Sequence, residues 1–98
     1  MVTRQEILDK LGRVIDPELG VSIVDLGLIY EVRVKGKEVR IKMTFTTPAC
    51  PMMNELLDDM KRRLEELGEL DIGISIVFEP LWTPDRMSKK AKIKLGML

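Results

Sequence analysis

The chain of 98 residues has no histidine, one cysteine (Cys50), one tryptophan (Trp82), one tyrosine (Tyr30) and two phenylalanines. Without histidine there is no Cys-His or Ser-His nucleophile pair and no histidine-bound zinc. A single cysteine excludes an intrachain disulfide, a Cys-x-x-Cys redox pair and a four-cysteine metal site within one chain. There is no glycine-rich phosphate loop: Gly20, Gly27 and Gly36 stand apart at turns. Charge of one sign is also missing. Sixteen basic and 16 acidic residues give a net charge of zero, so no global field draws the chain to nucleic acid or an anionic membrane. No apolar run approaches the roughly 20 residues that span a bilayer, and the N-terminus lacks a signal-peptide apolar region. The expectation is a cytoplasmic protein with no nucleic-acid or membrane partner. Amide side chains are scarce, Gln5 and Asn54 being the only two, a bias found in thermophilic proteins.

What is present reads as one small domain over residues 1–98. Hydrophobic content of 45% beside 33% charged residues suits a globular fold. Thr3 and Glu6 have capping-box spacing, and Ile7, Leu8, Leu11, Val14 and Ile15 follow at helical spacing. Pro17 disfavours helix at Asp16, which predicts a first helix over residues 4–15. Residues 16–27 have no clean period and read as an ordered loop with a short strand or turn. Leu28, Tyr30, Val32 and Val34 alternate with polar or outward positions, as do Val39, Ile41, Met43 and Phe45. With a turn at Lys35-Gly36-Lys37 they predict a hairpin. From Pro51 the period becomes helical, with Met53, Leu57, Met60, Leu64 and Leu67 on one stripe, widened by Met52 and Leu56, and Gly68 as the stop. Ile72, Ile74, Ile76 and Phe78 form a third strand. A loop with Pro80 and Pro84 follows, and Ser88 caps a short helix over Lys89–Leu95. The fold class is α+β, a two-layer α/β sandwich of order α-β-β-α-β plus the C-terminal helix. Two helices cover one face of a small mixed sheet.

Cys50 lies in Thr46-Thr47-Pro48-Ala49-Cys50-Pro51, with Pro51 suited to a first helical position and Cys50 to the N-cap. Unpaired N–H groups and the helix dipole there favour the thiolate, the form that binds soft metals and attacks electrophiles. The competing reading is a small apolar residue buried at a helix start. Asp16 and Glu18 flank Pro17, and Asp25 follows. They serve either as turn formers or as carboxylates placed near the thiol. The Thr46 and Thr47 hydroxyls bond either the loop backbone or the thiolate. Trp82 either lids the core or, exposed with Arg86, forms an interface hot spot. The lysines at 89, 90, 92 and 94 have no interleaved aromatics and read as a solvated helix face. A thiol enzyme with Asp16 or Glu18 as base is disfavoured, because a carboxylate of pKa about 4 is a poor base for a thiol of about 8.5.

Three segments in order resemble one family. Asp16-Pro17-Glu18-Leu19-Gly20 with Ile23-Val24-Asp25-Leu26-Gly27-Leu28-Ile29-Tyr30, the Thr46–Pro51 motif, and Trp82-Thr83-Pro84-Asp85-Arg86-Met87 are similar to the signatures of SufT/PaaD-like proteins. That group was long filed as a domain of unknown function and is tied to iron–sulfur protein maturation. The resemblance spans nearly the whole chain and implies an iron–sulfur cluster assembly-like domain. It implies that Cys50 is the functional thiol, with Asp16, Glu18, Asp25, Thr46, Thr47, Pro48 and Pro51 lining its site. Trp82, Arg86 and Met87 would then meet partners.

The expected role is accessory and non-enzymatic: assembly, transfer or insertion of clusters, among carrier or scaffold proteins and apo-clients. A cluster or iron would be held transiently and shared between subunits, as in a homodimer, with no stably bound cofactor. The family it resembles includes members fused to an ATPase; the expectation here is the bare domain, with no ATPase function of its own. The alternative is an adaptor, such as an accessory subunit of an oxygenase, with no cluster of its own.

Overall fold

The computed structural model describes residues 2–46 and 53–97. Helix α1 runs over Arg4–Leu11, with the expected capping box: the Thr3 hydroxyl accepts from the Glu6 N–H at 3.2 Å and the Glu6 carboxylate from the Thr3 N–H at 3.1 Å. It ends four residues short of the expectation, at Gly12. There the backbone tightens into i→i+3 bonds, Arg13 N–H to Lys10 O at 3.1 Å and Val14 N–H to Leu11 O at 3.0 Å. Glycine is a poor helix residue, so the chain leaves the helix before Pro17 acts. Val14 stays fully buried outside the helix, while Ile15 turns outward, 48% exposed. An eight-residue helix is not stable alone; Ile7 and Leu11, both fully buried, anchor it at about 2 kcal/mol each.

Two short strands follow in the segment expected to be an ordered loop with a short strand or turn. Strand β1, Ile15–Asp16, pairs antiparallel with β2, Val21–Ser22, matching Ile15 to Ser22 and Asp16 to Val21. The main sheet has β3, Ile29–Lys35, antiparallel to β4, Glu38–Met43, which is parallel to β5, Asp71–Ile76. It is mixed, in the order β3-β4-β5. In the central strand β4 burial alternates strictly: Val39, Ile41 and Met43 face the core, Glu38, Arg40 and Lys42 the solvent. The solvent face carries ion pairs of Arg40 with Glu38 at 2.8 Å and Asp71 at 3.1 Å, and of Arg33 with Glu31 at 3.1 Å. Exposed pairs of this kind contribute little stability and mainly keep the face wet.

One strand departs from its alternation. Ile29 pairs with Met43 but Glu31 with Lys42, so the register shifts by one residue at Tyr30. Simple alternation put Tyr30 on the core face with Leu28 and Val32. The shift carries it instead to the side of Glu31 and Lys42, with which it lines one cleft.

Helix α2, Met53–Glu65, connects the parallel pair β4 and β5. Leu56, Met60 and Leu64 form its buried line, flanked by half-buried Met53, Leu57 and Leu67. The core joins these residues to Ile7 and Leu11 of α1 and to Val32, Val39, Ile41 and Met43 of the sheet. Lys10 of α1 bonds Glu66 beyond α2 at 2.8 Å, tying the helices together at the surface. After β5 come a single 3-10 turn over Pro84–Arg86 and α3, Lys89–Lys94, capped as expected by Ser88, whose hydroxyl accepts from the Ala91 N–H at 3.1 Å.

Candidate functional site

The Asp16 carboxylate is buried and committed to its own turn. Its Oδ1 accepts from the backbone N–H of Glu18 at 2.8 Å and of Leu19 at 3.2 Å, and the Gly20 N–H closes onto Asp16 O at 2.7 Å. Proline at 17 fixes one dihedral of this turn and the Asp side chain replaces the missing backbone partners. Glu18 stands exposed on the tip.

Asp25 belongs to a second constellation. The Ser22 hydroxyl accepts from the Asp25 N–H at 3.0 Å, and Leu26 N–H bonds Ser22 O at 3.0 Å, winding residues 22–27 into a tight loop. The C-terminal segment docks on that loop through three bonds: Trp82 Nε1 to Leu26 O at 2.7 Å, Ser88 N–H to Asp25 O at 2.7 Å, and Ser88 Oγ to Asp25 Oδ1 at 3.2 Å. Gly27 makes the approach possible. Its φ is +77°, and a Cβ placed there would lie 2.7 Å from the Arg86 carbonyl carbon and 2.8 Å from the Arg86 Cβ. Two motifs 56 residues apart are thus one structural unit. Trp82 is half-buried against the core with its indole N–H satisfied, which is the lid reading, and Met87 lies in the core at 9% exposed. Met87, expected to meet a partner, is buried in the core cluster, whereas Trp82 keeps part of its surface exposed.

Arg86 is exposed, and its guanidinium lies 4.5 Å from the centroid of the Tyr30 ring. Tyr30 is itself fixed, its hydroxyl donating to Pro80 O at 2.8 Å. Beside them opens a cleft of about 600 Å³ lined by Tyr30, Glu31, Lys42, Glu79, Pro80 and Arg86. Sequence reading singled out Arg86 but not the cleft. The solitary tyrosine inside the first signature was the available signal, and the register shift concealed it.

Thr46 is half-buried and is the last residue described before the cysteine motif. Thr47, Pro48, Cys50 and Pro51 lie outside the described residues, as does the expected N-cap role of Cys50. Connectivity still locates the motif in the chain: it joins the end of β4 to the start of α2 at Met53. Leading up to it, Thr44 N–H bonds Leu28 O at 2.9 Å and Val77 N–H bonds Met43 O at 2.8 Å, so the strand end is held from both sides. Among the described residues no group of three or more Cys, Asp or Glu is placed to hold a metal ion.

Fold and connectivity define the class: a small two-layer α+β domain whose thiol-bearing link joins the carboxyl end of its central strand to its main helix. Residues 4–76 match the family described as iron-sulfur cluster assembly protein, and the chain belongs to that family. It is 43% identical over 96 residues to the Fe-S protein maturation auxiliary factor YitW of Bacillus subtilis, covering 96% of this chain and 94% of that protein. It is 48% identical over 86 residues to the Fe-S protein maturation auxiliary factor SufT of Staphylococcus aureus, covering 86% and 98%. The crystal structure of a domain of unknown function from Bacillus anthracis superposes with a TM-score of 0.90 at 40% identity, covering 96% of this chain and 92% of that one.

Proposed function

We propose that this chain is a cytoplasmic auxiliary factor of iron–sulfur protein maturation that acts by ligand exchange and catalyses no reaction of its own. The observation that carries the reading is the family match over residues 4–76, which runs through the chain's sole thiol. Cys50 would serve as a thiolate ligand to iron, with Asp16, Glu18, Thr46 and Thr47 contributing the polar surroundings of its link. Asp16 contributes through the turn it builds, since its Oδ1 is already engaged there.

One thiolate is too few to hold a cluster that needs four ligands. A second copy, a small thiol or a client must complete the set, so the cargo is held loosely and passes on readily. The exchange needs no redox step. An incoming client thiol loses its proton, its sulfur replaces the Cys50 sulfur at iron, and the freed Cys50 thiolate is reprotonated. Carriers and apo-clients with open cysteine ligands are the partners this chemistry calls for.

Anaerobic incubation with ferrous and ferric iron, sulfide and a small thiol, followed by absorption and Mössbauer spectroscopy, tests the ligand role. Wild type should develop thiolate-to-iron absorption that Cys50→Ala lacks. Identical spectra from the two proteins would end the proposal.

A further inference from the structure

The Arg86 cleft is not explained by the chemistry of Cys50. We infer that it is a docking site for a carboxylate on an extended acidic segment of a partner protein.

Arg86 is firmly placed. Its backbone is held against Gly27, where no larger residue fits without displacement. The segment behind it is pinned by the Trp82 and Ser88 bonds to Leu26 and Asp25. Its guanidinium is laid on Tyr30, and Tyr30 is tied to Pro80. A guanidinium held over a ring in this way keeps its charge, and its N–H fork can meet a planar, two-oxygen acceptor.

The charges of the cleft point the same way. Among the described residues no carboxylate lies within ion-pair distance of Arg86. Glu31, the acid on the cleft wall, is already shared between Arg33 at 3.1 Å and Lys42 at 3.8 Å. Glu79, exposed on the rim, and the partly paired Glu31 are the groups of the cleft that oppose an incoming anion. Lys42 adds a second cation on the same wall, and its long contact to Glu31 leaves its remaining donors available. The cleft's volume of about 600 Å³ takes several residues of extended chain, and Tyr30, Ile29 and Pro80 offer apolar surface beside the cations.

The test uses metal-free Cys50→Ala protein, so its result is independent of whether Cys50 binds iron. The probe is the capped pentapeptide Ac-Ala-Ala-Glu-Ala-Ala-NH2, against the same peptide with Gln, followed by NMR. The Glu peptide should shift the Arg86 side-chain N–H, the Tyr30 ring and Gly27 saturably, and less so as salt rises. Arg86→Gln should weaken it about tenfold, the size of one charge-assisted contact. Arg86→Lys should weaken it too, because it keeps charge but loses the fork, while Glu79→Gln should tighten it. Thermal melts of each variant separate loss of binding from loss of fold. Equal shifts from the Glu and Gln peptides, or an unaltered response in folded Arg86→Gln, would overturn the inference. So would tighter binding of orthophosphate to the same resonances, which would make the cleft a phosphate site.

Discussion

Replacing Gly27 by alanine attacks the joint between the first and third motifs. Alanine at φ +77° carries a left-handed penalty of about 1–2 kcal/mol. Its Cβ also cannot coexist with the Arg86 carbonyl carbon at 2.7 Å and Cβ at 2.8 Å, so loop and segment must separate. Separation weakens the Trp82–Leu26 and Ser88–Asp25 bonds, at about 1 kcal/mol each. The sum is about 3 kcal/mol or more, which for a domain of this size lowers Tm by about 12 °C at the least. Trp82 is the sole tryptophan, so the same sample reports the joint directly: its emission should move to the red below the unfolding transition. Gly36→Ala is the control. Gly36 also has positive φ, at +61°, but nothing lies within 4 Å of its added Cβ, so only the conformational penalty applies and the emission stays put. Equal Tm losses in the two variants with unmoved Trp82 emission would refute the reasoning.

Other substitutions probe the remaining supports. Thr3→Ala removes the capping box of α1 and should lower stability by about 1 kcal/mol in chemical denaturation, with Thr3→Ser retaining most of it. Met60→Ala empties a fully buried site between helix and sheet and should cost about 2–5 kcal/mol, read the same way. The Arg62 guanidinium, bonded at 2.7 Å, holds the Asp59 carboxyl below its usual range, opposed by partial burial and helped by Arg63, and Lys10 does the same for Glu66. Folded-state values below the unfolded ones mean a contribution present above about pH 4 and lost as pH falls through the folded values. Denaturation midpoints should therefore decline on acidification, and less steeply in Asp59→Asn; a steeper decline in that variant would contradict the sign.

Local signals in the sequence were reliable. Thr3 and Glu6 announced the start of α1, the alternation of β4 from Val39 to Met43 matched its burial, and Ser88 capped α3 as expected. Each of these depends on residues a few positions apart. The misreadings were of longer range or of competing turns. Gly12 ended α1 before Pro17 could, because the apolar period ran on through Val14 after the helix had stopped. Tyr30 changed sides because one extra residue enters β3, a feature fixed by how β3 meets β4 and Pro80 and not by its own neighbours. Trp82 and Asp25 were legible as marked residues but not as parts of one unit, since Trp82 meets Leu26 and Asp25 meets Ser88 only once the fold brings residues 22–27 and 82–88 together. The cysteine stood out by composition alone: with no histidine and no second thiol, the role proposed for it needs another molecule to complete it.

That dependence on another molecule is measured most directly by cluster delivery. Purified apo-acceptor enzyme is incubated anaerobically with a cluster-loaded carrier, with and without this protein, and the return of acceptor activity is timed. Wild type should accelerate reactivation, while Cys50→Ala, folded to the same Tm, should leave the rate at that of the carrier alone. Acceleration by Cys50→Ala equal to that of wild type would contradict the thiol's role and leave the domain acting by docking alone.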